Sequence, residues 1–208
     1  LLRNKEIIKF MGKIKLTIII PAYNEINTIQ AIINKVAELK ISKQIIIIDD
    51  YSTDGTREKI LKNKKKVDKI ILHKNNKGKG AAIKSAQHYV IGEYVIIQDA
   101  DLEYNPHDIL SLIKNIKNDK FRVIYGSRFL NNNKNKKAQN FSHSIRIIGN
   151  MFLTKLSNLI NKQNLTDAHT CYKLFESKLF KSIKLNENDF SFCPEITTKV
   201  SLLSEKIF

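Results

Sequence analysis

Two carboxylates separated by one small residue, Asp99-Ala100-Asp101, close the apolar run Tyr94-Val95-Ile96-Ile97-Gln98. An Ile/Val-rich run bounded by Gly92 and Pro106 reads as a parallel strand buried on both faces, so Asp99 and Asp101 are expected to emerge at its carboxyl end. Open α/β sheets bind ligands there. Alternate residues of a strand point to the same side, which suits two hard oxygen donors sharing one Mg²⁺ or Mn²⁺ that also holds a diphosphate. The competing reading is a surface turn carrying two solvated acids, because an isolated Asp-x-Asp is common.

Other residues fall at the same predicted sheet edge. Pro21-Ala22-Tyr23-Asn24-Glu25 follows the first apolar run directly; Tyr23 offers an aromatic face for a base or sugar, and Glu25 is either a hydrogen-bond acceptor there or a first-turn acid favoured by the helix dipole. The second run ends in Asp49-Asp50-Tyr51-Ser52-Thr53-Asp54-Gly55-Thr56. A carboxylate at that point can accept a base N–H or a ribose hydroxyl; Asp50 fits this role better than Asp54, which reads as a helix-opening acid. Asn76-Lys77-Gly78-Lys79-Gly80-Ala81-Ala82 supplies a glycine-rich helix entry with two cations, an arrangement that could cradle phosphate. It lacks the Gly-Lys-Ser/Thr ending of a P-loop, and no Gly-x-Gly-x-x-Gly follows the first strand, which argues against a dinucleotide-binding dehydrogenase.

The elements that must position these groups alternate along the chain. Residues 16–20, 44–48, 69–72, 94–98 and 122–125 read as strands. Between them, Ile29, Ile32, Ile33, Val36 and Leu39 repeat at helical spacing after a capping Asn24; Thr53 or Asp54 opens a helix carrying Ile60; Gly80 precedes a helix over 81–89; and Pro106 suits the first turn of one over 108–116. This β-α alternation predicts an α/β fold with a mostly parallel, doubly wound sheet. Residues 131–140 are polar, Lys-rich and aperiodic, and read as a mobile loop. Beyond them Ile145, Ile148, Phe152, Leu156 and Leu159 form one helical stripe, expected to face the core, with a helix lying on a membrane surface as the alternative. The chain thus divides into an N-terminal extension (1–15), an α/β part carrying the strand-end acids (16–130) and a C-terminal part (131–208).

With 208 residues and 42% hydrophobic content the chain can bury a sizeable core. Two cysteines, Cys171 and Cys193, are too few for a disulfide framework and lack metal-ligand spacing, so a reducing, cytoplasmic setting is expected. No apolar run approaches membrane-spanning length, and the chain reads as soluble or peripheral. It starts at Leu1 rather than Met and stops at Phe208, where the residues read as the start of a strand, so a fragment is expected. The net charge of +16 points to anionic partners: nucleic acid, an acidic membrane surface or phosphorylated substrates. Acids gathered at strand ends would repel a polyanion and no nucleic-acid-binding signature is present, so no nucleic acid is expected. Most of the positive charge is lysine; the arginines are Arg3, Arg57, Arg122, Arg128 and Arg146.

Taken in order, Pro21-Ala22-Tyr23-Asn24-Glu25, Asp49-Asp50-x-Ser52-Thr53-Asp54-Gly55-Thr56, the glycine loop, Asp99-Ala100-Asp101-Leu102-Glu103 and Gly126-Ser127-Arg128-Phe129 closely resemble family 2 glycosyltransferases, especially the dolichyl- or polyprenyl-phosphate sugar synthases. Arg146-Ile147-Ile148-Gly149-Asn150, the 166–173 segment around Asp167 and Phe192-Cys193-Pro194-Glu195-Ile196 continue the likeness. The resemblance implies a glycosyltransferase A-type fold, a nucleotide-sugar donor, Mg²⁺ or Mn²⁺, and inverting transfer to a lipid phosphate at the cytoplasmic membrane face; the rival acceptor is a polysaccharide or another glycan. It places Pro21, Tyr23, Glu25, Asp50, Lys79, Asp99 and Ala100 around the donor, with Asp99, Asp101 and Glu103 at the metal. Arg128 and Arg146 suit an acceptor phosphate, since a guanidinium grips it bidentately. Asp167 is a candidate base or orienting acid, with a helix cap as its alternative role; His169 and Cys171 read as structural. Glu103 stands where some relatives carry Gln, and Tyr51 replaces a frequent Gly.

Overall fold

The computed structural model describes residues 15–116, 121–129 and 141–208, apart from the side chains of 141–146. The loop expected over 131–140 and, except for Lys15, the N-terminal extension lie outside the described residues. The five predicted strands are present: β1 (Leu16–Ala22), β2 (Lys43–Asp49), β3 (Lys69–Leu72), β4 (Tyr94–Ile97) and β5 (Val123–Tyr125). A sixth, β6 (Lys173–Glu176), joins them without a sequence signal. It is short and follows the polar 166–170 segment, so period-two alternation has little length in which to register.

The sheet order is β3-β2-β1-β4-β6-β5. The pairs β1-β2, β1-β4 and β2-β3 are parallel, while β6 runs antiparallel to both β4 and β5. A strand from the later part of the chain therefore sits inside the sheet of the earlier part, and the boundary at residue 130 does not divide the core.

Strand alternation sorts the core onto two faces. Ile18, Ile20, Ile47 and Ile96 meet α1 (Ile29–Glu38) and α4 (Ile109–Ile116) on one side. Ile19, Ile46, Val95 and Phe175 meet α3 (Lys79–Gln87), α6 (Ser177–Ser182) and α7 (Phe192–Leu202) on the other. The remaining helices are α2 (Thr56–Lys62) and α5 (Phe141–Asn161). Ile29, Ile32, Ile33 and Val36 of α1 are all fully buried, and each such side chain contributes about 1.5–3 kcal/mol by leaving water.

Two start signals resolve differently from the expectation. Asn24 does not cap α1; it adopts φ 54°, its side chain accepts from Thr53 N–H, and the helix begins after Thr28. Asp54 accepts from the backbone N–H of Thr56 and Ile26, while α2 starts behind Gly55 at φ 97°. The larger departure concerns α5. Its stripe does not enter the core: Ile148 and Phe152 are each 67% exposed and Leu159 is 79% exposed. Ile145 belongs to the undescribed side chains.

Candidate active site at the carboxyl edge of the sheet

The carboxyl ends of β1, β2 and β4 open into one cavity of about 430 Å³. It is lined by Pro21 at the end of β1, Tyr23 and Glu25 after it, Asp50 after β2, Gly78 and Lys79 at the start of α3, and Asp99, Ala100 and Asp101 after β4. Residues distant in sequence converge because parallel strands all deliver their last residues to one edge. Glu103 does not line it.

The two acids that end β2 face different ways. Asp49 is fully buried and turned inward, accepting from Arg57 Nε at 2.6 Å and from Ser52 N–H; Arg57 also donates to the His73 carbonyl. Asp50 borders the cavity. Its carboxylate takes the N–H groups of Lys77 (2.9 Å) and Gly78 (2.7 Å), with His73 Nδ1 at 2.6 Å. His73 Nε2 in turn meets Ser85 Oγ at 2.9 Å. No local sequence signal marks either the Asp49-Arg57 pair or His73, and only the folded proximity of α2, β3 and α3 to the end of β2 reveals them.

Part of the backbone of the glycine loop, which could cradle phosphate, is engaged within the protein. Lys77 and Gly78 donate to Asp50, and Ala81 N–H donates to the Asn188 carbonyl at 2.9 Å. The glycines serve close approach. A Cβ on Gly78, which also has φ 91°, would lie 2.4 Å from the Asn188 oxygen, and one on Gly80 would lie 2.5 Å from the Glu187 oxygen. Segment 186–191 thereby seats on the start of α3 and brings Asp189 and Phe190 to the cavity rim. Glu195 holds that segment through the N–H groups of Asn186 and Glu187. The paired glycines signal that something packs on them, but its identity is not local information.

Lys79 is the cation left facing the cavity. Its Nζ sits 2.5 Å from Asp99 Oδ1 and 3.2 Å from Cys171 Sγ. Burial alone would lower its pKa, and the adjacent Asp99 carboxylate more than reverses this, so the ammonium is held charged. Burial, with Asp99 nearby, pushes the Cys171 thiol up to about 12.

The three-residue metal set is not assembled. Among the described residues no group of three or more His, Cys, Asp or Glu could hold a metal ion. Asp101 Oδ1 accepts from Glu103 N–H in a local turn that leaves Glu103 exposed and outside the cavity. Two carboxylates remain, Asp99 and Asp101. That donor set fits Mg²⁺ or Mn²⁺, since such ions bind through one or two carboxylates and complete their shell with substrate phosphates and water.

Arg128 and Asp167 meet each other rather than the cavity. Asp167 is buried, and its two oxygens accept from Arg128 Nε (2.8 Å) and Arg128 Nη2 (2.9 Å), a bidentate pair. These hydrogen bonds raise the already high pKa of the guanidinium. Both oxygens of Asp167 are thus engaged by Arg128. Arg128 remains partly exposed, its side chain 36% accessible. Arg146 lies on α5, and its side chain is outside the described residues. Near this pair Lys173 is fully buried, its ammonium donating to the Ala168 carbonyl at 2.8 Å and lying 3.8 Å from the Tyr125 ring centre. Burial lowers its pKa to about 8. His169 is also lowered, by partial burial and by Lys173.

The sequence profile of glycosyl transferase family 2 matches residues 17–184. The chain belongs to that family. Among curated family relatives, a dolichyl-phosphate beta-glucosyltransferase of Trichomonas vaginalis is 27% identical over 202 residues, covering 88% of this chain and 61% of the relative. A UDP-N-acetylglucosamine–dolichyl-phosphate N-acetylglucosaminyltransferase of Methanococcus voltae is 30% identical, covering 86% of this chain and 76% of the relative. The chain thus spans about three fifths of the first relative's length. Among solved structures, glucosyl-3-phosphoglycerate synthase of Mycobacterium tuberculosis, crystallised with Mn²⁺, UDP and glucosyl-3-phosphoglycerate, superposes with a TM-score of 0.72 at 14% identity, covering 98% of this chain and 72% of that one. This likeness is one of fold, and it agrees with the glycosyltransferase A-type α/β architecture.

Proposed function

We propose that the protein is an inverting glycosyltransferase that moves a sugar from a nucleotide-sugar donor to a polyprenyl, dolichyl-type, phosphate. The observation that carries the reading is the convergence of Asp50, Lys79, Asp99 and Asp101 with Tyr23 around one cavity at the sheet edge. In this reading Tyr23 and Asp50 bind the nucleoside and Asp99 and Asp101 face the diphosphate. Lys79 screens the diphosphate charge. Asp99 and Asp101 would hold Mg²⁺ or Mn²⁺, which when bound supplies Lewis-acid stabilisation of the leaving nucleoside diphosphate.

The acceptor phosphate is already ionised near neutrality, so it needs positioning rather than a general base. One of its oxygens forms the new bond to the anomeric carbon while the bond from that carbon to the diphosphate oxygen breaks, which inverts configuration. Arg128, braced by Asp167, presents its exposed edge to that phosphate, with Arg146 as its partner. The curated relatives' dolichyl-phosphate acceptors support this choice, as does the spare positive charge of the chain. Because a polyprenyl acceptor resides in a bilayer and no helix among the described residues is long and apolar enough to cross one, the reading places the protein peripherally on the cytoplasmic membrane face.

The test is transfer from labelled UDP-glucose, UDP-N-acetylglucosamine and GDP-mannose to polyprenyl phosphate in detergent, with and without Mn²⁺. Label should pass into the organic phase for one donor, in a metal-dependent manner. A folded preparation that binds none of the nucleotides would overturn the donor assignment; one that glycosylates only a soluble glycan would overturn the acceptor.

A further inference from the structure

Helix α5 is amphipathic in reverse. The side it turns to the protein is polar: Thr154 is buried and its hydroxyl accepts from Ala168 N–H, and Asn158 clamps Leu165, accepting from its N–H and donating to its carbonyl, each at 2.8 Å. The side it turns outward is apolar. Ile148, Met151, Phe152, Leu156, Leu159 and Ile160 are between 43% and 79% exposed. At 100° per residue they cover roughly half the helix circumference, centred near Phe152. Neither layer of the core contains a described residue of this helix. Scattered exposed apolar residues need no explanation, but a contiguous face of this kind marks an interaction surface.

We propose that this face of α5 docks into the surface of an anionic lipid bilayer, a step that rests on the lipid-phosphate reading above and supplies its contact with the membrane. Charge decides between the two obvious occupants. The helix contains no Asp or Glu, and Lys155 is exposed within the apolar arc, where a long stem can lie along hydrocarbon while the ammonium reaches the headgroups. The chain as a whole carries +16, so two copies facing each other would repel, whereas anionic lipid would be attracted. Exposed hydrophobic residues on one face with a lysine among them are what an interfacial helix requires. Position also fits. The backbone that α5 grips, Leu165 and Ala168, flanks Asp167, so a helix lying at the bilayer surface holds Arg128 close to the headgroup level where a lipid phosphate is found.

The experiment is vesicle flotation of the 208-residue chain, parallel to transfer in detergent. Vesicles of phosphatidylglycerol and phosphatidylcholine should carry the parent protein at low salt, pure phosphatidylcholine vesicles should carry at least about tenfold less, and rising NaCl should release it. Phe152→Asp and Leu159→Asp should each lower the bound fraction at least about tenfold while leaving thermal unfolding and transfer in detergent unchanged, since neither residue is in the core or the cavity. Unimpaired flotation of both variants would overturn the proposal, as would a parent protein that transfers sugar to polyprenyl phosphate in detergent but never floats, or a parent dimer in sedimentation that Leu159→Asp dissociates without any lipid binding. Flotation without transfer to any lipid phosphate would leave the surface standing and remove the acceptor reading.

Discussion

Helices α1 and α5 carry similar apolar stripes and meet opposite fates. In α1 the stripe lies against β1 and β2 with Ile29, Ile32, Ile33 and Val36 fully buried, while half-buried Gln30 pairs with Asn63 beside it. In α5 the polar residues make the protein contacts and the apolar ones are outside. Buried charge is handled just as differently on the two sides of the sheet. On the β1-β2-β4 side three buried carboxylates each have a basic partner: Asp49 has Arg57, Asp50 has His73 and Asp99 has Lys79. On the β5-β6 side the buried Asp167 is likewise paired, with Arg128, but the fully buried Lys173 has a carbonyl and an aromatic ring instead of a carboxylate. The contrast teaches that an apolar stripe specifies burial without specifying what buries it.

Stability should expose the difference between the helices most strongly. Ile33→Ala in α1 should cost about 2–5 kcal/mol in urea unfolding, the range for truncating a fully buried aliphatic side chain. A cost comparable to that of exposed sites would mean that α1 is not the core helix described. Next in size, Asp101→Asn should slow transfer roughly a hundredfold, about 2.7 kcal/mol of transition-state stabilisation, while leaving unfolding nearly unchanged because the side chain is exposed. Parent kinetics with unaltered Mn²⁺ dependence would remove Asp101 from the site.

The buried lysine makes a pH test of the other side of the sheet. Its folded pKa of about 8 lies below the ordinary lysine value of 10.5, so above pH 8 the unfolded chain binds more protons than the folded one and stability contributed at this site rises with pH until about 10.5. Relative to Lys173→Met, the parent should gain about 2 kcal/mol between roughly pH 7 and 10. Parallel stability profiles for the two proteins would show that the ammonium is better solvated than its surroundings indicate. A smaller effect is expected at Arg128→Lys, which keeps the charge and loses the fork to Asp167: transfer to lipid phosphate should fall about tenfold with nucleotide affinity intact. Equal losses in both would move Arg128 to the donor side. Smallest of all, Phe152→Ser should change unfolding by less than about 0.5 kcal/mol, as an exposed site does; a loss of several kcal/mol would turn α5 back into a core helix.

Much of the cavity at the sheet edge is legible in the sequence. Pro21, Tyr23, Glu25, Asp50, Lys79, Asp99, Ala100 and Asp101 all reach the cavity; all but Lys79, which opens α3, end a strand or come soon after one, and parallel pairing sends strand ends to a common edge. Glu103 fails for a local reason, since the turn closed by Asp101 on its N–H leaves it outside. The Arg128-Asp167 pair is less legible. Asp167 and Arg128 are 39 positions apart, and nothing in either segment announces a bidentate pair.

The sequence by itself determined the strand runs, the two-faced alternation of isoleucines and the delivery of acids to strand ends, because hydrophobic period and turn chemistry act over a few residues. Tertiary structure alone decided which acids keep a free face and which are neutralised by a partner. It also inserted β6 between β4 and β5, laid segment 186–191 on two glycines and turned the α5 stripe outward. Those outcomes depend on contacts between segments tens of residues apart, where a carboxylate's partner or a helix's orientation is set by what the rest of the chain places beside it.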